Sequence, residues 1–540
     1  MQDFRRDFLK MAGLTMAGSA TTLLNPSRAT SQSQPAASLA TSAKPVYFDV
    51  RAYGAKGDGV SIDTPAINGA IDAASNTGGG TVIFPAGVYA CYSIHLKSNV
   101  ALFLQQGATI LAAPTPYDGT TAGGYDSAEP QGSWEPYQDY GHNHWHNSLL
   151  WGENIHNFGI FGPGLIWGKG LSRGHDEKVL PNTTAPGVGN KAIALKNCRN
   201  VILSDFSILQ GGWFGILATG VDNFTIDNLK IDTNRDGIDI DCCRNVRVSN
   251  CTVNSPWDDG ICPKSSYALG YARATENLTI TNCYVTGVYE LGSVLDGTWK
   301  KMEMPKGRWG TGRIKLGTET NGGFKNITIS NCVFESCRGF ALESVDGAVV
   351  EDITFSNVTM RDVNAPFFLR LGARLRGPKP QTVVGSMKRI VLSNLVSSGA
   401  AQLPSIIAGV SDHPIEDLKI SDVYLHQVGG ASADMAAIQP AENADKYPEP
   451  TMFGDLPATG MYIRHAKNVE LSNVEIATES ADARPAFYLD DVDGADFFRV
   501  KFPQRAQSKQ FRLKNVSDFR LFGCHHYADA KEDHADDKIV

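Results

Sequence analysis

The sequence lacks several features that would each define a class of protein. It has no excess of positive charge: 49 Lys and Arg stand against 57 Asp and Glu, and the net charge is -8. This balance argues against a protein that coats nucleic acid. Beyond the N-terminus it has no run of about 20 apolar residues, so no membrane span is expected. Its charged fraction of 20% and hydrophobic fraction of 42% are ordinary, which excludes the disordered and fibrous classes.

Glycine and proline, by contrast, are plentiful. The 54 Gly and 26 Pro indicate many turns rather than long helices. A length of 540 residues suggests roughly three or four domains of ~150 residues. We expect a single domain over residues 45–525 instead, because one strand pattern repeats along much of the chain.

The N-terminal residues have the pattern of an export signal. Arg5 and Arg6 precede a weakly apolar run at residues 11–24, as in a bacterial twin-arginine signal. The run is too short and too rich in Gly, Ala and Thr for a membrane helix, and a mobile basic tail is the alternative. We expect a signal peptide at residues 1–30 and a Ser-, Ala- and Pro-rich linker at 31–44. The mature protein is then periplasmic or extracellular in a bacterium, without a membrane anchor.

One short phrase recurs along the chain, and its apolar and polar residues alternate as in a half-buried strand. Successive copies start 23, 22, 32, 49, 26, 37, 28 and 51 residues apart. The short steps do not suit a propeller blade of about 40 residues, and the Leu-rich consensus of horseshoe proteins is absent. The copies are NVILSDFSI from Asn200, NFTIDNLKI from Asn223, NVRVSNCTV from Asn245, NLTITNCYV from Asn277, NITISNCVF from Asn326, DITFSNVTM from Asp352, RIVLSNLVS from Arg389, DLKISDVYL from Asp417 and NVELSNVEI from Asn468.

This repeat predicts an all-β fold, a right-handed parallel β-helix of stacked coils. The recurring Asn would lie at one corner, where Asn tolerates the left-handed conformation and stacked amides bond to one another. A short helix over residues 64–75, with Thr64 as its capping residue and Pro65 behind it, would cover the N-terminal coil. The polar residues 526–540 are expected to form a loose tail. The corner residues are Asn228, Asn250, Asn282, Asn331, Asn357, Asn394 and Asn473.

Ten cysteines in an exported chain raise the question of disulfides. Three of them follow an Asn at the same point of the repeat and are expected to stack in the core as small apolar residues. These three are Cys251, Cys283 and Cys332. Export of a folded chain argues against an extensive framework. A bridge between Cys332 and Cys337, or one near Cys242 and Cys243, stays open.

Carboxylates occur in two consecutive repeats, each where a strand should end. Asp236 belongs to the first repeat, and Asp258 and Asp259 belong to the second. Asp236 and Asp258 are 22 residues apart, one repeat step, so they should lie about 5 Å apart on neighbouring coils. Carboxylates this close do not all ionise easily, and a raised acid beside ionised partners suits glycosidic hydrolysis. A calcium site and a hydrophilic turn are the alternatives.

A basic stretch follows the acids at residues 300–315. Arg313 and Lys315 alternate along a strand, so both should point to one face while Ile314 turns to the core. Cations at this place would fix an anionic sugar, because an Arg grips a carboxylate through two hydrogen bonds. The other Lys residues of the stretch are expected to be a solvated charge run.

A segment dense in aromatic and amide side chains, residues 133–151, interrupts the repeats before the acids. It is expected either to fold over a cleft and offer aromatic faces to sugars or simply to pack on the coils. His142, His144 and His146 alternate within it, but no fourth ligand of clear geometry is nearby. No metal site is therefore predicted.

Together, these motifs resemble the signatures of glycoside hydrolase family 28, the polygalacturonases and related pectin-cleaving enzymes. The stretch VRAYGAKGDGVSIDTPAINGAIDAA at residues 50–74 is similar to the opening of that family. The resemblance covers residues 45–360 well and the rest by repeat character. In order and spacing, the matching motifs are Asn234-x-Asp236-Gly237, Asp258-Asp259-Gly260 with Lys264-Ser265, and Arg313-Ile314-Lys315.

The resemblance implies inverting hydrolysis of a pectic or other uronate-containing polysaccharide or oligosaccharide, without a metal or cofactor. Asp258 is then the general acid, while Asp236 and Asp259 hold and activate the water. The substrate-binding residues implied in the same way are Asn234, Arg313 and Lys315, of which the last two would engage a galacturonate carboxylate.

Three departures from the family pattern fall near the site. Arg235 replaces the Thr of the usual Asn-Thr-Asp, and the usual Gly-His-Gly is absent from the matching residues 288–293. Tyr289 or Glu290 is the candidate replacement for that His as a substrate-binding residue. Pro263 stands inside an expected strand and removes one ladder hydrogen bond.

Long insertions at about 117–190 and 399–460 are expected to close one end of a cleft and so favour attack on chain ends. Two other functions also fit the sequence. A β-helical polysaccharide lyase would use the three Asp as calcium ligands and Arg313 as the base. A non-catalytic carbohydrate-binding solenoid, such as an adhesin, would not depend on the acids.

Overall fold

Three ladders of parallel strands run along the molecule, because the strands of each coil pair with those of the coils before and after it. The predicted all-β parallel β-helix is therefore confirmed. The signal peptide predicted at residues 1–30 and the linker at 31–44 lie outside the described residues. The computed structural model describes residues 47–114, 124–139, 141–172, 185–233, 235–305, 309–502 and 510–540.

The first ladder carries the recurring phrase. Its strands are Tyr47–Asp49, Gly80–Phe84, Val100–Leu104, His156–Phe161, Arg199–Ser204, Asp222–Asp227, Arg244–Ser249, Thr275–Thr281, Phe324–Ser330, Val349–Arg361, Ser386–Ala401, Ile415–Gly429, Met461–Ser480, Phe487–Phe498, Phe511–Phe522 and, antiparallel at the end, Ala530–Ile539. The second ladder consists of Asp58–Ile62, Gly87–Cys91, Ala108–Ala112, Leu165–Trp167, Ser207–Leu209, Lys230–Asp232, Thr252–Asn254, Tyr284–Thr286 and Val333–Glu335.

The third ladder carries the predicted acids and cations. A bridge between Ile261 and Ile314 joins its first six strands to the later ones. Pro263 keeps the register of its strand, pairing with Ile240. The strands are Ile94–His95, Leu150–Glu153, Lys191–Lys196, Phe214–Thr219, Asp236–Asp241, Ile261–Lys264, Lys315–Leu316, Phe340–Ser344, Phe367–Leu371 and Ser405–Ala408.

Equivalent positions of the phrase stack on one another inside the coil. Val201, Phe224, Val246 and Leu278 pair in register from coil to coil, and all four are buried. Burying one such side chain contributes about 1.5–3 kcal/mol relative to leaving it exposed. Each coil therefore gains its stability from its neighbours, as in other solenoids.

The corner Asn residues adopt the left-handed conformation, as predicted. All seven have φ between 53° and 58°. Their amides bond along the ladder, for example from Asn282 Nδ2 to Asn250 Oδ1 at 3.3 Å. The first Asn of the phrase forms a second row of this kind that the sequence did not predict, for example from Asn277 Nδ2 to Asn245 Oδ1 at 3.2 Å.

A helix at Thr64–Asn76 packs on the N-terminal coil, as predicted, through the buried side chains of Ile67, Ala70, Ile71 and Ala74. The capping residue is Asp63 rather than the expected Thr64. Asp63 makes no side-chain cap bond, because its carboxylate accepts from two backbone N–H groups of the preceding loop. No helix in the described part of the chain is long and apolar enough to cross a membrane.

The polar C-terminal segment forms a strand and not the loose tail expected at residues 526–540. Ala530–Ile539 pairs antiparallel with Phe511–Phe522 and buries Ala535. Pairing covers the backbone groups of the last coil, which would otherwise be an open edge. Because most of its side chains face solvent, its polar composition did not reveal the strand.

All ten cysteines are buried and free. Cys251, Cys283 and Cys332 stack as predicted, with the thiol of Cys283 in contact with those of the other two. Neither of the two bridges left open by the sequence is formed.

The two expected insertions are shorter than the sequence suggested. The range 117–190 includes a complete coil at residues 150–167, and the range 399–460 includes two strands of the ladders. The strands of residues 150–167 and Ser405–Ala408 carry no recognised copy of the phrase, whereas Ile415–Gly429 contains the copy from Asp417. The irregular segments next to the acids are residues 124–149, here called the front loop, and residues 430–460, here called the back loop.

Candidate active site

The third ladder brings the three predicted acids together. Asp236 opens a strand, and Asp258 and Asp259 form the turn just before the next strand. Since Ile238 pairs with Ile261, Asp236 stands opposite Asp259 and not opposite Asp258 as the repeat step suggested. A carboxylate oxygen of Asp236 lies within 4.8 Å of one of Asp259.

Glycines follow the acids and allow the turns of adjacent coils to approach. A Cβ atom on Gly237 would lie 2.4 Å from the carbonyl oxygen of Gly260, which is closer than any real contact. The backbones bond directly instead, with the Gly237 N–H donating to the Asp259 carbonyl at 3.0 Å. The Asp-Gly pairs of the sequence are therefore packing requirements of the site.

Asp259 is buried between two cations. Arg313 donates its Nε–H to Asp259 Oδ1 at 2.9 Å, and Lys315 Nζ lies 2.7 Å from Oδ2. Burial opposes ionisation, but Lys315 and Arg313 outweigh it and hold the pKa of Asp259 well below its usual range. Ile314 between them points into the core, as predicted.

Asp236 has the opposite environment. It is 4% exposed, and within the described part of the chain its Oδ1 has no hydrogen-bond partner. Burial, followed by the negative charges of Asp239 and Asp258, raises the pKa of Asp236 well above its usual range. Two carboxyls less than 5 Å apart thus favour different protonation states, with Asp236 neutral and Asp259 ionised.

Asp258 is paired with Arg235, the residue that departs from the family pattern. Arg235 Nη2 lies 2.7 Å from Asp258 Oδ2, and its guanidinium carbon lies 4.2 Å from the centre of the Trp213 ring. The Asp258 side chain is 25% exposed, against 2% for Asp259, so it is the acid that a substrate can reach. Burial raises the pKa of Asp258 and Arg235 opposes that shift, with a net rise.

Behind Asp236 lies a buried charged network that the sequence did not reveal. His142 Nε2 lies 3.3 Å and Lys264 Nζ lies 3.7 Å from Asp239 Oδ2, and His142 Nδ1 lies 3.2 Å from Glu319 Oε1. Burial lowers the pKa of His142, but Glu319 and Asp239 raise it above its usual value. The sequence could have pointed to Asp239, because it alternates with core residues in the strand that Asp236 opens. It held no such sign for His142 and Glu319, which come from distant segments.

Glu343, on the coil after Lys315, is a further acid that was missed. It is fully buried, and neither carboxylate oxygen has a hydrogen-bond partner among the described residues. Burial raises the pKa of Glu343 to about 8, although Lys315 and Arg313 oppose the shift. Beside Lys315 and Arg313, Asp259 thus favours the ionised form and Glu343 the neutral form.

The back loop covers the cations. Glu449 Oε1 lies 2.7 Å from Arg313 Nη2 and 3.0 Å from Arg338 Nη1, and Lys315 Nζ lies 5.9 Å from the centre of the Tyr447 ring. Arg313 is fully buried. The structure thus places Arg313 and Lys315 against the acids, and the contact with a galacturonate carboxylate stays a prediction.

The front loop covers the third ladder on the coils before Asp236. Trp145 is 2% exposed, donates its indole N–H to Thr219 Oγ1 at 3.1 Å and packs with Leu217. Packing on the coils therefore accounts for this Trp. Trp257, which precedes Asp258, is instead 37% exposed and offers an aromatic face beside the acids.

The candidate replacements for the missing His do not contact the three acids. The Tyr289 hydroxyl donates to Glu335 Oε2 at 3.2 Å, and Glu290 Oε2 lies 2.8 Å from Lys300 Nζ near the surface. Both side chains are therefore paired with residues other than the three acids. His142 of the front loop is the histidine beside the acids. The remaining predicted site residue, Asn234, lies outside the described residues.

The alternating histidines of the front loop diverge to different carboxylates. His142 faces Asp239, whereas His146 Nε2 lies 2.9 Å from Glu153 Oε2. His146, Glu153 and Glu129 bring ligand-type atoms within 4.8 Å of one another. These atoms are already engaged, because Lys196 Nζ lies 3.1 Å from Glu153 and Glu129 accepts from backbone N–H groups of the loop.

The chain is similar to several known proteins. A family model described as rhamnogalacturonase A/epimerase, pectate lyase-like, matches residues 47–262, which include all three acids. A probable polygalacturonase of Vitis vinifera is 24% identical over 448 residues, 76% of this chain and 83% of that protein. An exo-poly-alpha-D-galacturonosidase of Dickeya chrysanthemi is 28% identical over 235 residues, 43% of this chain and 36% of that protein. This chain is similar in sequence to polygalacturonases.

The resemblance to family 28 inferred from the motifs is thereby confirmed. A solved polygalacturonase structure shows the same fold. The family 28 exopolygalacturonase of Yersinia enterocolitica matches with a TM-score of 0.57 at 20% identity, covering 86% of this chain and 80% of that chain. The predicted right-handed parallel β-helix is confirmed.

Proposed function

We propose that this polygalacturonase relative is a glycoside hydrolase that cleaves a bond next to a uronic acid in a pectic polysaccharide, with inversion. The observation that carries the proposal is the convergence of Asp236, Asp258 and Asp259 with unequal pKa shifts. A neutral acid beside ionised carboxylates is what glycosidic hydrolysis needs. The names of the relatives support the substrate class.

The geometry supports distinct roles for the three acids. Asp258 is the general acid, because it is the most exposed of them and its pKa is raised. Asp236 and Asp259 approach within 4.8 Å, closer than the roughly 6.5–9.5 Å that separates the acid and base of inverting enzymes. We assign this pair to one face of the sugar, where it holds the water. Arg313 and Lys315 keep Asp259 ionised and in place.

The enclosure of the site supports attack on chain ends. The front loop covers the coils before Asp236, and the back loop reaches Arg313 through Glu449. A groove closed on both sides admits the end of a polysaccharide more readily than its middle. We therefore propose exo action, which yields small products from the start while the viscosity of the polymer falls slowly.

Product analysis on homogalacturonan, rhamnogalacturonan and xylogalacturonan tests the proposed reaction. We expect saturated reducing sugars from at least one of the three, at a rate that a calcium chelator does not change. An unsaturated, ultraviolet-absorbing product that disappears on chelation would instead establish a lyase. Binding without any product would establish a carbohydrate-binding solenoid.

We also propose export by the twin-arginine route to the periplasm or beyond. The basis is the pair Arg5 and Arg6 before the weakly apolar run at residues 11–24. Replacing both with Lys should retain the full-length chain in the cytoplasm, as measured by cell fractionation. Unchanged export of that variant would contradict the proposal.

A further inference from the structure

Arg235 lies beside Asp258, and its guanidinium is already paired with that carboxylate. Its guanidinium lies 2.7 Å from Asp258 and over the ring of Trp213, and its side chain is 16% exposed. Because an indole ring attracts a guanidinium by itself, the stacking can hold Arg235 in place when a carboxylate leaves it. Thr, which the family pattern carries at this position, has no charge to offer.

The partner of Arg235 has the same chemistry as the proposed substrate. Asp258 presents a carboxylate, and so does a uronic acid. A planar guanidinium binds one carboxylate through a paired fork of donors, so two carboxylates compete for it. An ion pair left in place would keep Asp258 ionised and unable to donate a proton.

We propose that Arg235 determines uronate specificity by exchange: the substrate carboxylate displaces Asp258 from Arg235, and the freed Asp258 then acts as the general acid. The inference rests on the proposed function. A neutral sugar cannot make the exchange, so it leaves the acid ionised. Recognition of the charge and activation of the acid are thus one event.

The proton balance closes without an external donor. Other charged groups that act on Asp258 are Asp236, Asp259, Lys264 and Lys315, and the proposed exchange leaves their ion pairs unchanged. In the free enzyme the proton is on Asp236 and Asp258 is ionised. After the exchange, the proton passes from Asp236 to Asp258.

The chemical step then restores the starting state. Asp258 gives its proton to the leaving oxygen as the glycosidic C–O bond breaks. The water oxygen bonds to the sugar carbon, and the water proton passes to the ionised Asp236. When product leaves, Asp258 is again ionised and returns to Arg235.

Three variants, R235Q, R235K and R244Q, test this exchange with trigalacturonate and its fully methyl-esterified, neutral counterpart. For R235Q we expect kcat/KM on trigalacturonate to fall about 100-fold, the loss of a charge-assisted pair, while kcat/KM on the ester is maintained or rises. R235K keeps the positive charge but lacks the paired donors of a guanidinium. Its kcat/KM on trigalacturonate should be about tenfold higher than that of R235Q. R244Q removes the surface ion pair of Arg244 with Glu276. It should change kcat/KM on either substrate by no more than about twofold.

The pH profile supplies the readout that a merely structural role would not move. Arg235 lowers the pKa of Asp258, so its removal should move the alkaline limb of kcat/KM on the ester to higher pH. If R235Q lost kcat/KM equally on both substrates, or if its alkaline limb did not move, the inference would be overturned. The proposed hydrolase function would not be affected by that result. Failure of the unmodified enzyme to hydrolyse any uronate glycan would instead overturn the proposed function, and this inference with it.

Discussion

The first and third ladders share a backbone geometry and differ in what their outward residues do. On the first ladder the same residue recurs, and Asn223, Asn245 and Asn277 each donate to the Asn of the preceding coil. On the third ladder the corresponding outward position changes with every coil. It is occupied in turn by Trp151, Ala194, Leu217, Asp239, Cys262 and Lys315.

This difference separates the part of the sequence that builds the solenoid from the part that does chemistry. Repeated side chains bond to their equivalents on the neighbouring coils. Their contribution is therefore to the stability of the solenoid, and it is spread over many positions. Unrepeated polar side chains have no equivalent above or below them, and they depend on a few long-range ion pairs. We expect substitutions on the first ladder to change stability and leave activity nearly unchanged, and those on the third ladder to change activity strongly.

The largest effect should come from the most exposed of the three acids. Asp258→Asn removes the transferable proton with almost no change in shape. We expect turnover on a uronate glycan to fall by about three or more orders of magnitude, measured as reducing sugar released. The melting temperature should stay within a few degrees of the original. Retained activity would remove Asp258 from the reaction.

Next comes a comparison of two lysines, one on each ladder. Lys315→Met leaves Asp259 buried without one of its two cations, which should cost about 3–5 kcal/mol of unfolding free energy. The pKa of Asp259 should rise, so the acidic limb of kcat/KM should move to higher pH. Lys325→Met breaks a surface pair with Glu351 and should cost no more than about 1 kcal/mol. Denaturant titration and pH–rate profiles measure both, and equal costs would contradict the contrast between the ladders.

A smaller effect concerns the pH dependence of stability. The pKa of Glu343 is raised to about 8 in the folded protein, against about 4.3 in an unfolded chain. The folded state therefore binds this proton more tightly, and Glu343 should lower stability as pH rises between these values, by up to about 1.4 kcal/mol per unit. Glu343→Gln should flatten the melting temperature between pH 5 and 8. Glu276→Gln, at a surface ion pair, should leave the slope unchanged, and an unchanged slope in both variants would contradict the assignment.

The smallest effect on activity is expected on the first ladder. Asn277→Ala loses two side-chain amide bonds, one donated to Asn245 and one accepted from Asn326, each worth about 0.5–1.5 kcal/mol, and places Ala at a left-handed position, which costs about 1–2 kcal/mol. Asn277→Gly keeps the backbone relaxed and isolates the amide contribution. Both should retain activity within about twofold. A loss of turnover in either variant would show that the two ladders are not separable in this way.

The repeated features of the molecule were readable from the sequence because they depend on local periodicity. The corner residues such as Asn282, the buried column through Val246 and the stacking of Cys283 all follow from one phrase. The acids were found because Asp236, Asp258 and Asp259 also fall within consecutive repeats. Their register was one residue off, since the turn before Ile261 holds an extra residue.

The unrepeated features were not readable. His142 and Glu449 reach the site from the front and back loops, whose paths no periodic rule predicts. Glu343 lies in the strand Phe340–Ser344 and belongs to none of the motifs that the sequence analysis singled out, so its burial was not predicted. Arg235 was visible as a departure from a family pattern, but its pairing with Asp258 required the three-dimensional arrangement.

The most direct measurement of the central claim is proton NMR of the sugar anomer during the first minutes of cleavage of a uronate oligosaccharide. Three acids of adjacent turns, acting on one linkage with a water held on the far face, should yield the anomer opposite in configuration to the linkage that was cut. Release of the same configuration, or of an unsaturated end, would contradict this account.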